Sequence, residues 1–273
     1  MDLPPVPRRG ASYAVSISCV SWIDLLGYGS MLRKVGFDPT ADLARDAVER
    51  IEAFHAIVAD HSKREFRTVV MNDGAVALRD LSPRSHSVTY DFLARSIDLF
   101  NSVNEKDSEI GARMVIAAGF RMETTARDHI FRTSLAQRVL EQLRIGSLDA
   151  EEAVHQALVA RPDFQGVPAL QANFAFTKAY LVESKGTDGG FGGANCFIDL
   201  ALFDQDLPEW IKFSELQCFH SDGISGRFGK LRSFDRESAG KARLSGVLDA
   251  LGIAEKIGGA GAAQRMLDTR RRA

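Results

Sequence analysis

From Tyr13 to Leu25, strand-forming residues alternate with small polar ones. Val15, Ile17, Cys19, Val20, Trp22 and Ile23 mark the first element as a strand. The residues before it, 1–11, read as a loose arm set by Pro4, Pro5 and Pro7. Gly27-Tyr28-Gly29-Ser30 then breaks the strand. Helical spacing follows through Leu43, Ala47, Val48, Ile51, Phe54, Ile57 and Val58, up to His61. Asp38 is its expected cap, Pro39 a first-turn residue and Asp42 an acid at the positive end. Two apolar runs, 66–71 and 75–78, flank Asn72-Asp73-Gly74 and predict a β-hairpin. A polar loop over 82–87 leads into a helix over 89–103, with Phe92, Ile97, Leu99 and Phe100 inward, and then a strand over 111–119.

The stretch 124–161 reads as helical, broken near Gly146, with Ser147 and Asp149 as caps. A helix over 168–184 stops at Lys185-Gly186, a glycine-rich mobile loop spans 186–193, and a strand covers 195–203. The tail from Glu237 to Arg270 reads as helical, interrupted at Gly258-Gly259-Ala260-Gly261. No tandem repeat is present, which excludes a solenoid. This order predicts an α+β fold, with helices flanking a mostly antiparallel sheet. A doubly wound parallel sheet would not place a tight hairpin after its first helix. The expected organisation is an arm over 1–11, one domain over 12–234 and a C-terminal helical extension over 235–273.

Composition narrows the function classes. Of 273 residues, 34 are Lys or Arg and 36 are Asp or Glu, so the formal charge is −2 and carries no nucleic-acid footprint. Arg270-Arg271-Arg272 reads as a solvated end. With 45% hydrophobic and 26% charged residues, the chain is an ordinary globular one. Cys19, Cys196 and Cys218 show no Cys-x-x-Cys spacing, which argues against a disulfide framework or zinc site and fits a reducing cytosol. No apolar run has the length of a membrane span, and the run near 13–26 contains Asp24 and ends in a glycine turn, unlike a signal peptide. A cytoplasmic protein without nucleic-acid or membrane partners is the expectation. Ser184 and Ser221 lack a nucleophile elbow, and 186–193 lacks the Lys-Ser or Lys-Thr of a Walker loop. The six histidines form no cluster in sequence.

The informative residues are two aspartates. Asp24 ends the first strand and Asp73 sits in the hairpin turn. If those strands are neighbours, both carboxylates project at one end of the sheet. Two hard oxygen ligands suit Mg²⁺ or Mn²⁺, which takes one or two carboxylates plus substrate phosphates. Backbone N–H groups at Gly27, Tyr28 and Gly29 could then cradle a phosphate. A plainer reading stands beside it: Asx residues favour turns, and Asp24 merely ends a strand.

Trp22-Ile23-Asp24-Leu25-Leu26-Gly27-Tyr28 resembles the metal-binding strand of class III nucleotidyl cyclases. Met71-Asn72-Asp73-Gly74-Ala75-Val76-Ala77 is similar to their second metal site, and Gly111–Gly119 to the strand that follows. Phe174–Ser184 followed by Phe197-Ile198-Asp199-Leu200 resembles a diverged bacterial branch with Ala-Tyr-x-x-Glu in the helix. The resemblance covers roughly 13–203. It implies a ferredoxin-like antiparallel sheet with flanking helices, and a homodimer with composite sites. It further implies two Mg²⁺ or Mn²⁺ ions per site on Asp24, Asp73 and the Leu25 carbonyl. A nucleoside triphosphate would then be converted to a cyclic nucleotide and pyrophosphate.

The match departs where the family reads base and phosphate. Aligned on Glu183, Thr177 takes the place of the family's ribose-orienting Asn and Leu181 that of its phosphate-stabilising Arg. Loss of one such donor costs roughly 10²–10³ in rate. Asn173 and Lys178 lie on the same helix, and Lys178, Lys185, Arg227, Lys230 and Arg232 are other sources of charge. At the two base-reading positions stand Val69 and Leu170, whose side chains cannot hydrogen-bond a purine edge. A smaller pyrimidine is compatible, as in the cyclic-pyrimidine cyclases of bacterial antiphage defence. The competing expectations are a catalytically degenerate binding or regulatory module and a metal-dependent phosphodiester enzyme reusing the Asp pair.

Overall fold

In this computed structural model, which describes residues 13–107, 110–124, 139, 141–159, 167–221, 223–241 and 246–272, strand β1 is Tyr13–Leu25, as the alternation predicts. Its side chains sort onto two faces. Ile17, Cys19, Ile23 and Leu25 enter one apolar cluster, and Val20 and Trp22 another. Helices α1 (Tyr28–Lys34) and α2 (Asp42–His61) follow. Next come β2 (Arg67–Met71), β3 (Gly74–Asp80), α3 (His86–Lys106) and β4 (Ala112–Thr124). Then follow α4 (Ala150–Val159), α5 (Phe174–Lys185), β5 (Cys196–Asp199), β6 (Ile211–Ser221) and β7 (Ile224–Phe234). Helices α6 (Arg236–Lys241), α7 (Ala250–Gly258) and α8 (Ala262–Arg272) complete the described elements.

The seven strands form one sheet in the order β2-β3-β1-β4-β5-β7-β6. All pairs are antiparallel except β4 with β5. The first four strands, joined through α2 and α3, have the ferredoxin-like order that was expected. On one face, Phe54 and Val58 of α2, Phe92 and Ile97 of α3, Ile253 of α7 and Met266 of α8 share a core with β1 and β4. The C-terminal helices are thus packed into the core of the preceding domain. On the other face, α5 lays Ala175, Ala179 and Val182 onto Val20, Trp22, Val76, Val115 and Ala117. It does so at close range: a Cβ at Gly119 of β4 would stand 2.5 Å from the Ala175 amide nitrogen.

Several boundaries depart from expectation, each for a local reason. Asp38 does not cap α2. Its carboxylate accepts from the Thr40 N–H and hydroxyl in a turn of its own, and Ala41 is the N-cap. Gly27-Tyr28-Gly29-Ser30 does break the strand, and Gly27 at φ 80° lets α1 begin at once. The loop expected over 82–87 ends early, since α3 begins at His86. The helix expected over 168–184 is divided: Pro168–Leu170 make a 3-10 turn, Ala172 has φ 48°, and Asn173 caps α5. The 186–193 loop is tied down by buried Phe191. The last strand stops at Asp199, whose side chain accepts from the Ala201 N–H and starts a 3-10 turn. In the tail, Gly246 at φ 82° and the Asp249 cap separate α7 from what precedes it. The 1–11 arm and 125–138 of the expected 124–161 helix lie outside the described residues.

Candidate active site

The hairpin brings the two aspartates together. β1 pairs with β3 in a register that sets Asp24 opposite Gly74, and the Leu25 N–H donates to the Asp73 carbonyl at 2.9 Å. Asn72, at φ 58°, and Asp73 form the two-residue turn between β2 and β3. Trp22 closes on this turn: a Cβ at Gly74 would lie 2.8 Å from its ring. Asp24 is on the α5 face, two residues along the strand from Trp22, and stands opposite Arg113 of β4. Glu183, near the end of α5, reaches the same place and accepts from the Arg113 Nε at 3.0 Å. Arg113 also donates to the Phe191 carbonyl at 3.1 Å.

The charges of Glu183 and Asp73 both act on Asp24, with Arg113 and Arg50 nearby. Burial, then the charges of Glu183 and Asp73, push the Asp24 carboxyl up to about 7 against the pull of both arginines. Among the described residues, no hydrogen bond reaches the Asp24 carboxylate. The Asp73 carboxylate accepts from the Asn72 amide at 3.1 Å.

The other predicted positions fall in two groups. Leu25 is buried, while Gly27, Tyr28 and Gly29 form the cap and first turn of α1, where the Gly27 carbonyl accepts from Ser30 and Met31. Val69, Leu170 and Leu181 all pack against the cluster containing Trp22 and Val76. Thr177 is exposed, with its hydroxyl bonded to the Asn173 carbonyl at 3.3 Å. Asn173 is buried. Its side chain caps Phe176 and donates to the Ser18 hydroxyl and Ala169 carbonyl. Lys178 is only 6% exposed and bonds Asp199 at 2.6 Å. The commitments of Asn173 and Lys178 depart from their expected place at ribose and phosphate. Arg227 points away from α5, because its neighbour Phe228 faces that helix. Lys230, opposite Phe197, is on the α5 face, with Glu215 at 3.9 Å.

Sequence reading missed two residues that shape this site. Arg50 of α2 pairs with Asp107 and clamps the Leu26 and Gly111 carbonyls at 2.6 and 3.0 Å, fixing the chain just past Asp24. His55 Nε2 lies 2.9 Å from the Asn72 carbonyl and braces the turn that carries Asp73. Both sit on the helix between the aspartates, which is the one signal the sequence offered.

The donors are all oxygens, and among the described residues no three or more His, Cys, Asp or Glu converge as a closed metal cage. Two carboxylates with an open remainder suit Mg²⁺ or Mn²⁺, whose shell is completed by water and phosphate. The excess negative charge around Asp24 fits the same group.

No protein-family model matches the chain, and no curated protein does. Solved structures similar to it are nucleotidyl cyclase domains. The catalytic core of a rhodopsin-guanylyl cyclase with converted specificity, in complex with ATPαS, is 9% identical over 82% of this chain and 99% of that one, at TM-score 0.41. The guanylate cyclase domain of RhGC from Catenaria anguillulae, in complex with GTP, is 9% identical over 82% and 100%, at 0.41. A bacterial light-regulated adenylyl cyclase is 8% identical over 95% of this chain and 59% of its own, at 0.43. Superposition at this level is partial and carries no inference about activity. No helix among the described residues is long and apolar enough to cross a membrane.

Proposed function

We propose that the chain is a metal-dependent nucleotidyl cyclase acting on a nucleoside triphosphate, with a pyrimidine base favoured. The observation that carries this reading is the uncompensated acid pair. Asp24 and Asp73 are held at one sheet end, and burial, then the charges of Glu183 and Asp73, raise the Asp24 carboxyl to about 7. Asp24, Asp73 and the Leu25 carbonyl would hold Mg²⁺ or Mn²⁺. The cation would neutralise phosphate charge and favour ionisation of the ribose 3′-hydroxyl. In the reaction the 3′-oxygen bonds the α-phosphorus, the bond to the β-phosphate oxygen breaks, and the hydroxyl proton passes to solvent.

The chain's own residues orient the reactants. Arg50 and His55 hold the two acid-bearing turns. The first-turn amides at Tyr28 and Gly29 are assigned to phosphate. Val69 and Leu170 offer an apolar surface with no purine-specific donor, which suits a smaller base. Phe174 and Tyr180, 48% and 49% exposed on α5, together with Thr177, form the face that a second copy would cover. Lys230 is the cation on this face assigned to the triphosphate.

A second reading, a degenerate nucleotide-binding or regulatory module, is favoured by a different observation. Leu181 packs on the apolar cluster and Lys178 is spent on Asp199, so α5 presents no free cation at the family positions. One experiment separates the two. The purified protein is incubated with Mn²⁺ and each of the four NTPs, and cyclic products are detected by mass. A cyclic pyrimidine nucleotide, lost in Asp24→Asn and Asp73→Asn, is the expected result. No cyclic product from any NTP, with unaltered stability in Asp24→Ala, establishes the module instead.

A further inference from the structure

A cleft of about 820 Å³ opens where β5 ends, lined from α5, β5, the 204–207 loop, the β6–β7 hairpin and α7. It is unrelated to the acid pair. Cys218 and Arg227 are register partners on β6 and β7, and their neighbours Phe219 and Phe228 belong to the α5-face cluster. Strand alternation therefore turns Cys218 and Arg227 to the opposite face. The volume falls in the range of small-ligand pockets.

The charges in the cleft are unequal. On its floor, Lys178 and Asp199 neutralise each other at 2.6 Å, and the Lys178 stem crosses Gly226, where a Cβ would lie 2.9 Å from it. Lys256 of α7 donates to the Leu200, Phe203 and Asp204 carbonyls. Burial and the nearby Arg227 lower its proton affinity, while Asp204 and Asp199 oppose the change. The Arg227 guanidinium has no hydrogen bond or ion pair among the described residues. The cationic side is faced by an apolar rim, Leu207 and Leu216, which are 41% and 50% exposed. A guanidinium without a partner beside a second cation asks for an anion, and exposed leucines at the mouth ask for an apolar body.

We infer that this cleft binds a small organic anion, a carboxylate, sulfonate or phosphate bonded to Arg227 with its apolar part against Leu207 and Leu216. The site reaches α5 through Lys178, the helix that also carries Glu183 to the acid pair.

Cys218 supplies a local reporter. Of the three cysteines it alone is exposed, and burial raises the thiols of Cys19 and Cys196 beyond reaction. Labelling of Cys218 in the full-length protein by the neutral 4,4′-dithiodipyridine is followed with 2-naphthalenesulfonate, benzoate or inorganic phosphate as protecting anion, and with neutral 2-naphthol as control. Saturating 2-naphthalenesulfonate should slow labelling at least tenfold and 2-naphthol should not. Arg227→Ala should abolish protection while labelling at the unprotected wild-type rate, and Arg227→Lys should restore part of it. Leu216→Ser should weaken naphthalenesulfonate more than phosphate. Protection by none of the three anions, equal protection by 2-naphthol, or full protection in a folded Arg227→Ala protein overturns the proposal. Asp73→Asn should leave protection unchanged, and its loss there would place the anion at the acid pair and overturn the assignment.

Discussion

The α5 face holds two clusters of charge built on opposite terms. At one, Lys178 and Asp199 are both buried, 6% and 1% exposed, and satisfied. Asp199 also accepts from the Ala118 and Ala201 N–H groups, and Lys178 lies over the Phe228 ring at 5.8 Å. At the other, the charges of Glu183 and Asp73 act on Asp24, while Arg113 is bonded to Glu183 and Arg50 to Asp107. The first cluster is complete as it stands. The second carries carboxylates with no cation bonded to Asp24 among the described residues, the arrangement on which the proposed metal site rests. The first pair is fully buried and Asp24 and Asp73 only partly, and the balance of partners differs as well.

Breaking the complete cluster should have the largest effect. Lys178→Met or Asp199→Ala leaves a buried charge alone, which costs about 3–5 kcal/mol. We expect the midpoint of thermal unfolding to fall by about 10 °C. The double variant Lys178→Met/Asp199→Leu should recover most of that loss. A single variant within 2 °C of wild type, a shift of about 0.5–1 kcal/mol, would show the pair to be idle.

The open cluster should respond in the opposite sense. The Asp24 carboxyl titrates near 7 in the folded chain against about 3.8 for the free group. The folded state therefore holds this proton more tightly than the unfolded state. Its contribution to stability is present below about pH 4 and is lost as pH rises through 7. At pH 8 without metal, Asp24→Asn should raise the midpoint by about 2–6 °C, and at pH 4 the difference should shrink. Calorimetric titration should show Mn²⁺ binding weakened at least tenfold in the same variant. Destabilisation at pH 8 would mean that the arginines already balance Asp24.

The smallest effect on folding belongs to the exposed edge of α5. Phe174→Ser should leave monomer stability within about 0.5 kcal/mol, and Tyr180→Ser should cost about 1 kcal/mol through its edge contact with Trp22. Sedimentation velocity should show self-association weakened about tenfold, or about 1.4 kcal/mol. A wild-type protein that remains monomeric at tens of micromolar, with and without nucleotide, removes this face as a dimer surface.

Much of this was legible in the chain. β1 is bounded as its alternation indicates, and Asn72, which tolerates positive φ, opens the turn of the expected hairpin. The acid pair could be read because both residues lie at ends of periodic segments. What could not be read depends on separations that only folding closes. Arg50 reaches the Leu26 carbonyl across 24 positions, and Arg113 reaches Glu183 across 70. The β6–β7 hairpin left no clean period, because β6 is a sheet edge, largely exposed, with a register shift near Phe213. Asn173 shows a further limit: expected only as a member of the ribose or transition-state helix, it is the cap of α5, and Ala172 at φ 48° turns the chain just before it.

Trp22 carries a consequence for spectroscopy. Its ring lies on Gly74 beside the Asp73 turn and meets Phe176 and Tyr180 edge-on at 6.0 and 5.8 Å. Its indole nitrogen is buried and has no hydrogen-bond partner among the described residues. An indole in such a setting fluoresces toward the blue. The ring touches both the acid-bearing turn and the aromatic residues of α5, so the wavelength of its light is tied to how closely those two parts sit.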